Sequence, residues 1–524
     1  MKPSQPPIHS ILRFFKTFWR DDSGIILPYV TILLVVIVGM SVLALDGARY
    51  VSLNTQLQQG ADALALAGAA ELDGSPTAIT RACQAITLVI NTTLVGSSTD
   101  ANVQAPSSCP GPATCPVTGS CIRFLSSLPA SDSIFPIPSA NVTTDPTQAF
   151  YVEVTVTPVS MATILPASFF GGSNTVTTGA QAVAGNNPVL CNFSPVYICN
   201  PYETSGMSSS AATDALYAAD TDTSFQQKLI RLVQGCTNPG CLNYLIPTTG
   251  SLPASACGPS STQGVSQALA MSEVSVCNKQ SGVSLNTAPG SSNTIADGFN
   301  TRFGLYSGSF GVSQSCGPAT AYPPDANVRK GYIHAGSSNW CNASPDDGTG
   351  SNKGQWPPGT ATGSMSLPLD DCLINGTCST PNVGDGKWDC RGYVDKVHGL
   401  SVTYTGNGVC GNKTTTTARR YDVYNWEAAS PTLLNHAVGG ETGTPQCIAS
   451  GSTPLTGVSN RRIMIAPIVN CGSAPNKAAA FGKFFITLPW TTGNQTTNSN
   501  AINSPFAEFI GLQKPTYNAV QLYR

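Results

Sequence analysis

A run without any charged residue, IILPYVTILLVVIVGMSVLAL, extends from Ile25 to Leu45. Built as an α-helix it would be roughly 32 Å long, close to the roughly 30 Å hydrocarbon core of a bilayer. It is longer than the apolar region of an ordinary secretory signal peptide, which has about 7 to 15 residues. The run predicts a transmembrane helix over residues 24–46, with a buried helix of a soluble core as the alternative interpretation.

Basic residues are distributed unevenly around this run. Those that precede it are Lys2, Arg13, Lys16 and Arg20, whereas only Arg49 follows it before Arg81. Because positive residues are retained on the cytoplasmic side of a membrane, residues 1–23 are expected to form a cytoplasmic tail. Nearly all of the remaining chain is then expected to be exported.

The overall composition is typical of an exported, turn-rich protein. Only 10% of the 524 residues are charged, the formal net charge is −2, and the chain contains 50 glycines and 39 prolines. No run rich in lysine or arginine provides the positive surface that a nucleic-acid-binding protein needs, so nucleic acid is not a predicted partner. The part after the run is long enough for two or three domains of about 100 to 200 residues.

All 18 cysteines lie between Cys83 and Cys471, on the side predicted to be exported. An even number of cysteines in an oxidising compartment indicates disulfides, and the absence of any C-x-x-C argues against a structural zinc site. Free thiols are the remaining alternative. Connectivity does not follow from sequence, although the local pairs Cys191–Cys199 and Cys236–Cys241 are the simplest hypothesis.

The helical pattern continues beyond the apolar run without a break. In residues 46–72, Tyr50, Leu53, Leu57, Ala61 and Leu64 recur at three- and four-residue spacing and share one face of a helix. We therefore expect a helical extension over residues 47–74 that forms one rod with the transmembrane helix. A plain stalk next to the membrane is the alternative.

Residues 75–187 are predicted to form a small α+β unit. A helix is expected around Thr77–Leu94, and strands over Phe150–Pro158 and Thr175–Ala184, because apolar residues alternate there. Met161–Phe170 is expected to form a turn or a short helix. Gly185-Asn186-Asn187-Pro188 has the composition of a domain boundary.

Residues 188–524 are predicted to be a cysteine-rich exported region. Amphipathic patterns favour helices over Ala211–Gln234 and Thr262–Val276. The strand-like segments are Gly331–His334, Leu400–Tyr404, Ile463–Val469 and Phe481–Pro489. The predicted fold class is thus α+β: one N-terminal transmembrane helix continues into a long exported helix, followed by a disulfide-rich, loop-rich mixed α/β region.

Sequence patterns of enzymes are missing from the chain. There is no G-x-x-x-x-G-K-[ST], no H-E-x-x-H and no G-x-S-x-G, and the glycine-rich Gly348–Gly354 has the character of a surface turn. The acidic groups Asp346-Asp347, Asp370-Asp371 and Asp385 with Asp389 could hold calcium, but solvated loop acids are the alternative. The histidines are scattered: His9, His334, His398 and His436. No catalytic, cofactor-binding or metal-ligating residue is predicted, and a tethered hydrolase has no positive support.

Small and charged residues near the end of the apolar run are candidates for contacts. Gly39, Ala44 and Gly47 would let another helix approach closely in lipid. Asp46 and Arg49 are three residues apart and could pair on one helix face, with charges that mark the membrane boundary as the alternative. For Asp62, which interrupts the alanine-rich stretch, the alternatives are contact with a partner subunit and a solvated face.

The block from Ser23 to Leu72 resembles the N-terminal region of TadG-like proteins of the tight-adherence (Tad, or Flp) pilus system. The matching features are Gly24, Pro28, the exit Ala44-Leu45-Asp46-Gly47-Ala48-Arg49, and the helix from Leu57 to Ala67. A looser resemblance extends to about residue 490. It includes Asn200-Pro201-Tyr202-Glu203, Asp297–Gly304, Tyr421–Tyr424, Arg461-Arg462-Ile463, Asn470-Cys471 and Phe484–Pro489.

The resemblance implies a non-enzymatic component of pilus assembly in the bacterial inner membrane, with the bulk of the chain in the periplasm and a role in adhesion. Its implied partners are membrane lipid through Ile25–Leu45, pilin-like or pilus-assembly proteins, and further copies through the N-terminal helix. No cofactor is implied. The Asp-x-Ser-x-Ser motif of a von Willebrand A domain is not found. The glutamate that processed pilin-like relatives carry five residues after the cleavage glycine is Tyr29 here, so an uncleaved anchor is expected.

A membrane-anchored adhesin or glycan-binding ectodomain is the alternative function. Its motive is a set of tryptophans in polar segments that could stack on sugars, although tryptophans that tie down loops are commoner. They are Trp340, Trp356, Trp388 and Trp426.

Overall fold

The computed structural model describes the chain in segments. They are residues 26–89, 109–111, 121–131, 136–164, 172–233, 237–244, 262–271, 277–279, 292–306, 310, 316, 319–328, 332–333, 341–342, 367–391, 393–394, 409–410, 418–429, 455–472, 478–490, 504–515 and 517–523. Within these segments the protein combines a long apolar N-terminal helix with two main β-sheets, which confirms the mixed helix and sheet composition.

The helices are α1 (Ile26–Ala70), α2 (Ala78–Leu88), α3 (Ser209–Thr221), α4 (Thr223–Gln226), α5 (Thr262–Met271), α6 (Ser292–Asn300), α7 (Asp371–Asn375) and α8 (Arg420–Ala428). The strands are β1 (Cys121–Leu125), β2 (Tyr151–Thr155), β3 (Val159–Ala162), β4 (Thr175–Thr178), β5 (Gln181–Cys191), β6 (Val196–Cys199), β7 (Leu229–Arg231), β8 (Leu242–Tyr244), β9 (Cys277–Lys279), β10 (Tyr332–Ile333), β11 (Cys341–Asn342), β12 (Ile463–Val469), β13 (Ala478–Leu488), β14 (Phe506–Leu512) and β15 (Tyr517–Leu522).

The apolar run and its extension form one unbroken helix, α1, of 45 residues. Pro28 is accommodated because it lies in the first turn, where its missing N–H has no intrahelical acceptor to serve. The helix ends at Ala70, before Gly74, whose φ of 77° is the left-handed conformation that glycine adopts without strain. The structure thus confirms the predicted continuous rod.

The second half of α1 lies across the first sheet, in which the strand order is β1-β2-β5-β15 and β9 also pairs with β5. Every pairing in this sheet is antiparallel. Val152, Val154 and Val156 are buried toward the helix, as their alternation predicts. Glu153 points the other way and is also buried, because Arg123 opposite it in β1 donates to its carboxylate at 2.7 Å.

Strand β5 passes through the segment predicted to separate two domains. Gly185-Asn186-Asn187-Pro188 forms the middle of this strand, and residues 184–189 pair with β15. The sheet of the predicted small unit is therefore completed by a strand from the far end of the chain. Upstream, the predicted strand Thr175–Ala184 is interrupted at Gly179-Ala180, so β4 pairs with β3 and β5 pairs with β2.

The second sheet has six strands in the order β7-β14-β13-β12-β6-β8. Only β12 and β6 are parallel among its strand pairs. Its core cluster includes Leu216 of α3, Leu269 of α5 and Phe299 of α6, packed with strand residues such as Phe484 and Phe509. The strand predictions at Ile463–Val469 and Phe481–Pro489 are confirmed as β12 and as most of β13.

The predicted helix Ala211–Gln234 is wrong in its second half. Helix α3 ends at Thr221. The short helix α4 begins after Asp222, whose side chain accepts the Ser224 N–H at 2.8 Å, and the chain then forms strand β7. Leu229 and Ile230 are buried in that strand against β14. Apolar residues there satisfy a helical pattern and a buried strand equally well, and pairing with β14 decides the outcome.

Among the described residues, five cysteine pairs can be placed at disulfide distance. They are Cys83–Cys109, Cys191–Cys277, Cys199–Cys471, Cys372–Cys378 and Cys390–Cys410. The predicted pair Cys191–Cys199 is wrong, because Cys191 opposes Cys277 across β5 and β9, and Cys199 ends β6 beside Cys471. Cys236 of the other predicted pair and the predicted strand Leu400–Tyr404 lie outside the described residues.

Candidate functional site

The first half of α1 is an apolar surface that no other described part of the chain covers. Large side chains along it are exposed, among them Leu34 at 59% and Met40 at 68%. Among the described residues, α1 alone is long and apolar enough to cross a membrane, and its most apolar stretch has no buried residue. A soluble core helix would have this stretch covered, so the alternative interpretation as a core helix is not supported for the first half.

Small residues on this half of α1 leave room for another helix. A side chain added at Gly39 or at Gly47 would meet no atom within 4 Å. Ala44 is exposed as well. The three small residues singled out in the sequence are therefore free of contacts within the described chain.

Asp46 marks the change from the exposed half to the packed half of α1. Only 7% of this residue is exposed, and both of its carboxylate oxygens lie 2.9 Å from the backbone nitrogen of Ile164, which donates its hydrogen to them. Arg49 Nη1 lies 3.6 Å from Asp46 Oδ1 and donates to the carbonyl of Ala162 at 3.4 Å. The predicted Asp46–Arg49 pair is present, and it also fastens the end of β3 to the helix.

Polar contacts continue along the same side of the helix. Asn54 Oδ1 accepts a hydrogen bond from Thr178 Oγ1 at 3.0 Å, and Gln58 Nε2 donates to the carbonyl of Gln181 at 3.0 Å. Gln58 Nε2 also donates to Asp62 Oδ1 at 2.8 Å. The contact found for Asp62 is therefore within its own helix.

Apolar packing fixes the second half of α1 on the first sheet. Leu53, Leu57, Ala61 and Leu64 are at most 1% exposed and belong to one core cluster with residues of β2 and β5. Tyr50, predicted on the same face, is 37% exposed because it lies one turn below the first buried leucine. The predicted face is otherwise confirmed.

Residues 24–71 match the family model described as Putative Flp pilus-assembly TadE/G-like. This segment is TadE/G-like. The matched segment contains the whole of α1. It therefore includes the exposed apolar half of the helix, Asp46 and the half that packs on the first sheet. The family domain associates the chain with pilus assembly. Comparison with curated proteins and with solved structures found no match to either.

The acidic groups considered for calcium do not assemble into a metal site in the part of the chain that the structure describes, where no cluster of potential ligands occurs. Asp370 is fully buried, pairs with Arg420 Nη2 at 2.6 Å and accepts the N–H groups of Leu229 and Gly386. Both carboxylate oxygens of Asp370 are thus engaged in contacts within the protein. Asp346-Asp347, the Gly348–Gly354 loop and the four histidines lie outside the described residues.

Of the four tryptophans that motivated a glycan-binding alternative, the two that lie in the described residues pack in or against one core cluster. Trp388 is 1% exposed and donates its indole N–H to the carbonyl of Ala418 at 2.7 Å. Trp426 packs against the same core cluster. Trp340 and Trp356 lie outside the described residues.

Sequence patterns gave no signal for the buried charges behind the second sheet. Arg420 of α8 is fully buried and contacts both Asp370 and, at 2.9 Å, Glu508 of β14. Burial raises the pKa of Glu508 to about 7, although Arg420 lowers it. Arg302 is also fully buried, and burial together with the charge of Arg461 lowers its pKa to about 9. These groups hold segments distant in sequence together.

A cleft of about 1150 Å³ lies at the end of α1, between Pro76 and α3. Its lining includes Arg81, which pairs with Glu71 at 3.0 Å and with Asp73 at 2.6 Å. The arginine thereby ties the turn after α1 to α2.

Proposed function

We propose that this protein is a membrane-anchored, non-enzymatic component of a Tad/Flp-type pilus assembly apparatus. The proposal is carried by one observation: the TadE/G-like segment is a single helix whose first half is apolar and uncovered and whose second half is packed on a sheet. Uncovered apolar surface of this length is stable only in lipid or against other apolar helices.

The anchor is proposed to cross the bacterial inner membrane once, with residues 1–23 in the cytoplasm and the rest in the periplasm. The excess of basic residues before the run supports this orientation. The cysteine pairs at disulfide distance, all after residue 82, support an oxidising compartment for the exported part. The tail, the anchor (24–46), the helical extension (47–74), a small unit (75–187) and the cysteine-rich region (188–524) remain the proposed division, with β15 contributing to the sheet of the small unit.

Within the membrane, the first half of α1 is proposed to pack against helices of pilin-like or pilus-assembly proteins, or of a second copy. Close approach of helices in lipid depends on small residues, and Gly39, Ala44 and Gly47 are uncovered. The exported region would then contact envelope partners and serve adhesion through the assembled pilus.

The proposal is tested by deletion and complementation in a piliated strain. Loss of this protein should abolish surface pili and adherence, and the wild-type gene should restore both. Complementation with Gly39→Leu/Gly47→Leu should restore the protein level but not piliation, because the added side chains block helix contact. The matched control Leu34→Val/Leu43→Val keeps the apolar surface and should restore pili. Normal piliation in the deletion strain would refute the proposed function.

The orientation is tested separately by adding protease to spheroplasts. The exported bulk should be digested, and a fragment containing the anchor and tail should remain. Protection of the whole chain would contradict the proposed topology.

A further inference from the structure

The hairpin of β3 and β4 runs along α1 toward its apolar half. The contacts of this segment with the helix move toward the apolar half: Gln181 at the start of β5 contacts Gln58, Thr178 of β4 contacts Asn54, and Ile164, just after β3, contacts Asp46. Thr175 pairs with Ala162, whose carbonyl accepts a hydrogen bond from Arg49, so this end of the hairpin lies at the level of Arg49.

Apolar side chains at this end of the hairpin are exposed, as are most residues of β4. Ile164 is 49% exposed and Val176 39% exposed. Tyr50 and Val51, at the same level of α1, are exposed as well. The chain from Val154 to Tyr202, which contains the hairpin, has no Asp, Glu, Lys or Arg. Ile164 lies beside Asp46, the residue at which the apolar half of α1 ends.

The charged side chains at this level of α1, Asp46 and Arg49, already have partners within the protein. The Asp46 carboxylate accepts the Ile164 N–H and lies 3.6 Å from Arg49. Burying a carboxylate near lipid is costly unless it is paired and hydrogen-bonded, and here it is both. The long side chain of Arg49 can extend its guanidinium toward headgroup phosphates while its stem stays apolar.

We propose that the hairpin end forms a second membrane contact, with Ile164 and Val176 inserted at the boundary between headgroups and acyl chains of the bilayer that α1 crosses. This inference rests on the proposed membrane anchoring. Its consequence is mechanical: with α1 held at Asp46 and the hairpin held by lipid, the exported region sits directly on the membrane at a fixed angle to the anchor.

The test is site-specific photocrosslinking of the full-length protein in vesicles of phosphatidylethanolamine and phosphatidylglycerol. The photoreactive residue benzoylphenylalanine replaces Ile164 or Val176, and lipid adducts are measured by mass spectrometry. Val35, exposed in the apolar half of α1, is the positive control, and the exposed Gln59 higher on the helix is the negative control. Because the hairpin residues would contact acyl chains, we expect both to give at least about fivefold more lipid adduct than Gln59.

The outcomes separate this inference from the proposed function. Lipid adducts at Val35 but only background at Ile164 and Val176 would overturn the hairpin contact and leave the anchor standing. Background at Val35 would overturn the anchor itself. Adducts at Ile164 and Val176 that are mainly to protein would show that this surface faces a partner chain, and would also overturn the lipid contact.

Discussion

Asp46 occupies the point at which α1 passes from uncovered apolar surface to packed helix. Its carboxylate is held by a backbone N–H more than a hundred residues away in the chain and by Arg49 one turn along the helix. From sequence, the spacing of Asp46 and Arg49 allows their pairing. The contact with Ile164 has no sequence signal, because the group that Asp46 recognises is main-chain and every residue except proline has one.

Replacing Asp46 with alanine should loosen the hairpin of β3 and β4. The substitution removes the acceptor of a part-buried hydrogen bond from the Ile164 N–H, which costs about 0.5 to 1.5 kcal/mol. Hydrogen–deuterium exchange of peptides from residues 159–164 should accelerate, while exchange of β12 should not change. Ser52→Ala, at an exposed position of the same helix, is the control. Unaltered exchange in Asp46→Ala would mean that the carboxylate does not hold the hairpin.

Glu508 should make the stability of the second sheet depend on pH. Arg420 faces two fully buried carboxylates and can balance the charge of one, and burial raises the pKa of Glu508 to about 7 from its ordinary 4.5. A group with a raised pKa in the folded state stabilises fully below its unfolded pKa, and that contribution is lost as pH rises through the folded value. The free energy of unfolding should therefore fall between about pH 4.5 and pH 7.

The measurement is chemical denaturation of the detergent-solubilised protein across that pH range. Glu508→Gln cannot titrate, so its curve should lack up to about 1.4 kcal/mol per pH unit of the wild-type slope. Glu71→Gln, at the surface end of α1, serves as the control and should keep the wild-type slope. Parallel pH curves for wild type and Glu508→Gln would contradict the assignment to this carboxylate.

Among the elements, α1 and β12 could be predicted to within a few residues because each carries an unbroken pattern of its own. The uncharged run and the spacing of Leu53, Leu57 and Ala61 specify a helix whatever it packs against. Strand β7 could not be predicted, since the apolar side chains of Leu229 and Ile230 suit a helix or a strand until β14 is in place. Strands β5, β14 and β15 also depend on pairing with segments distant in sequence, so their bounds could not be predicted.

Truncation of Leu57 tests whether the second half of α1 packs on the first sheet. Leu57 is 1% exposed within the cluster formed with β2 and β5, and truncation to alanine should lower the free energy of unfolding by about 2 to 5 kcal/mol through lost contacts and a cavity. Val51→Ala is the matched control because Val51 is 62% exposed on the same helix, and it should change stability little. Equal effects from the two substitutions would argue against this packing.

At the scale of the whole molecule, pairings between distant parts of the chain unite the two sheets. Cys199 and Cys471 are separated by 272 residues, and the buried Asn200 and Asn470 beside them hydrogen-bond at 2.9 Å. Strand β5 pairs with β2, β9 and β15 in the first sheet, and the next strand along the chain is β6 of the second sheet. Local sequence patterns favour disulfides between cysteines close in sequence and a domain boundary at Pro188. Contacts that close a long loop leave no signal in the composition.

The last strand makes this long-range pairing testable. Residues 517–522 pair with β5 along its middle, and Tyr523 packs edge-on against Tyr151 of β2 at 5.2 Å between ring centres. A chain that stops after Lys514 should leave one edge of β5 unpaired and the α1 face of the first sheet open at Val520, a residue that packs against its core. Limited trypsin digestion should then cleave the truncated protein faster at Arg81 and Arg123, while the β12–β13 region stays intact. Removal of Arg524 alone is the control. If the shortened chain resisted trypsin at both arginines as well as the wild type does, the first sheet would be stable without its C-terminal strand, and the predicted small unit of residues 75–187 would fold without help from the end of the chain.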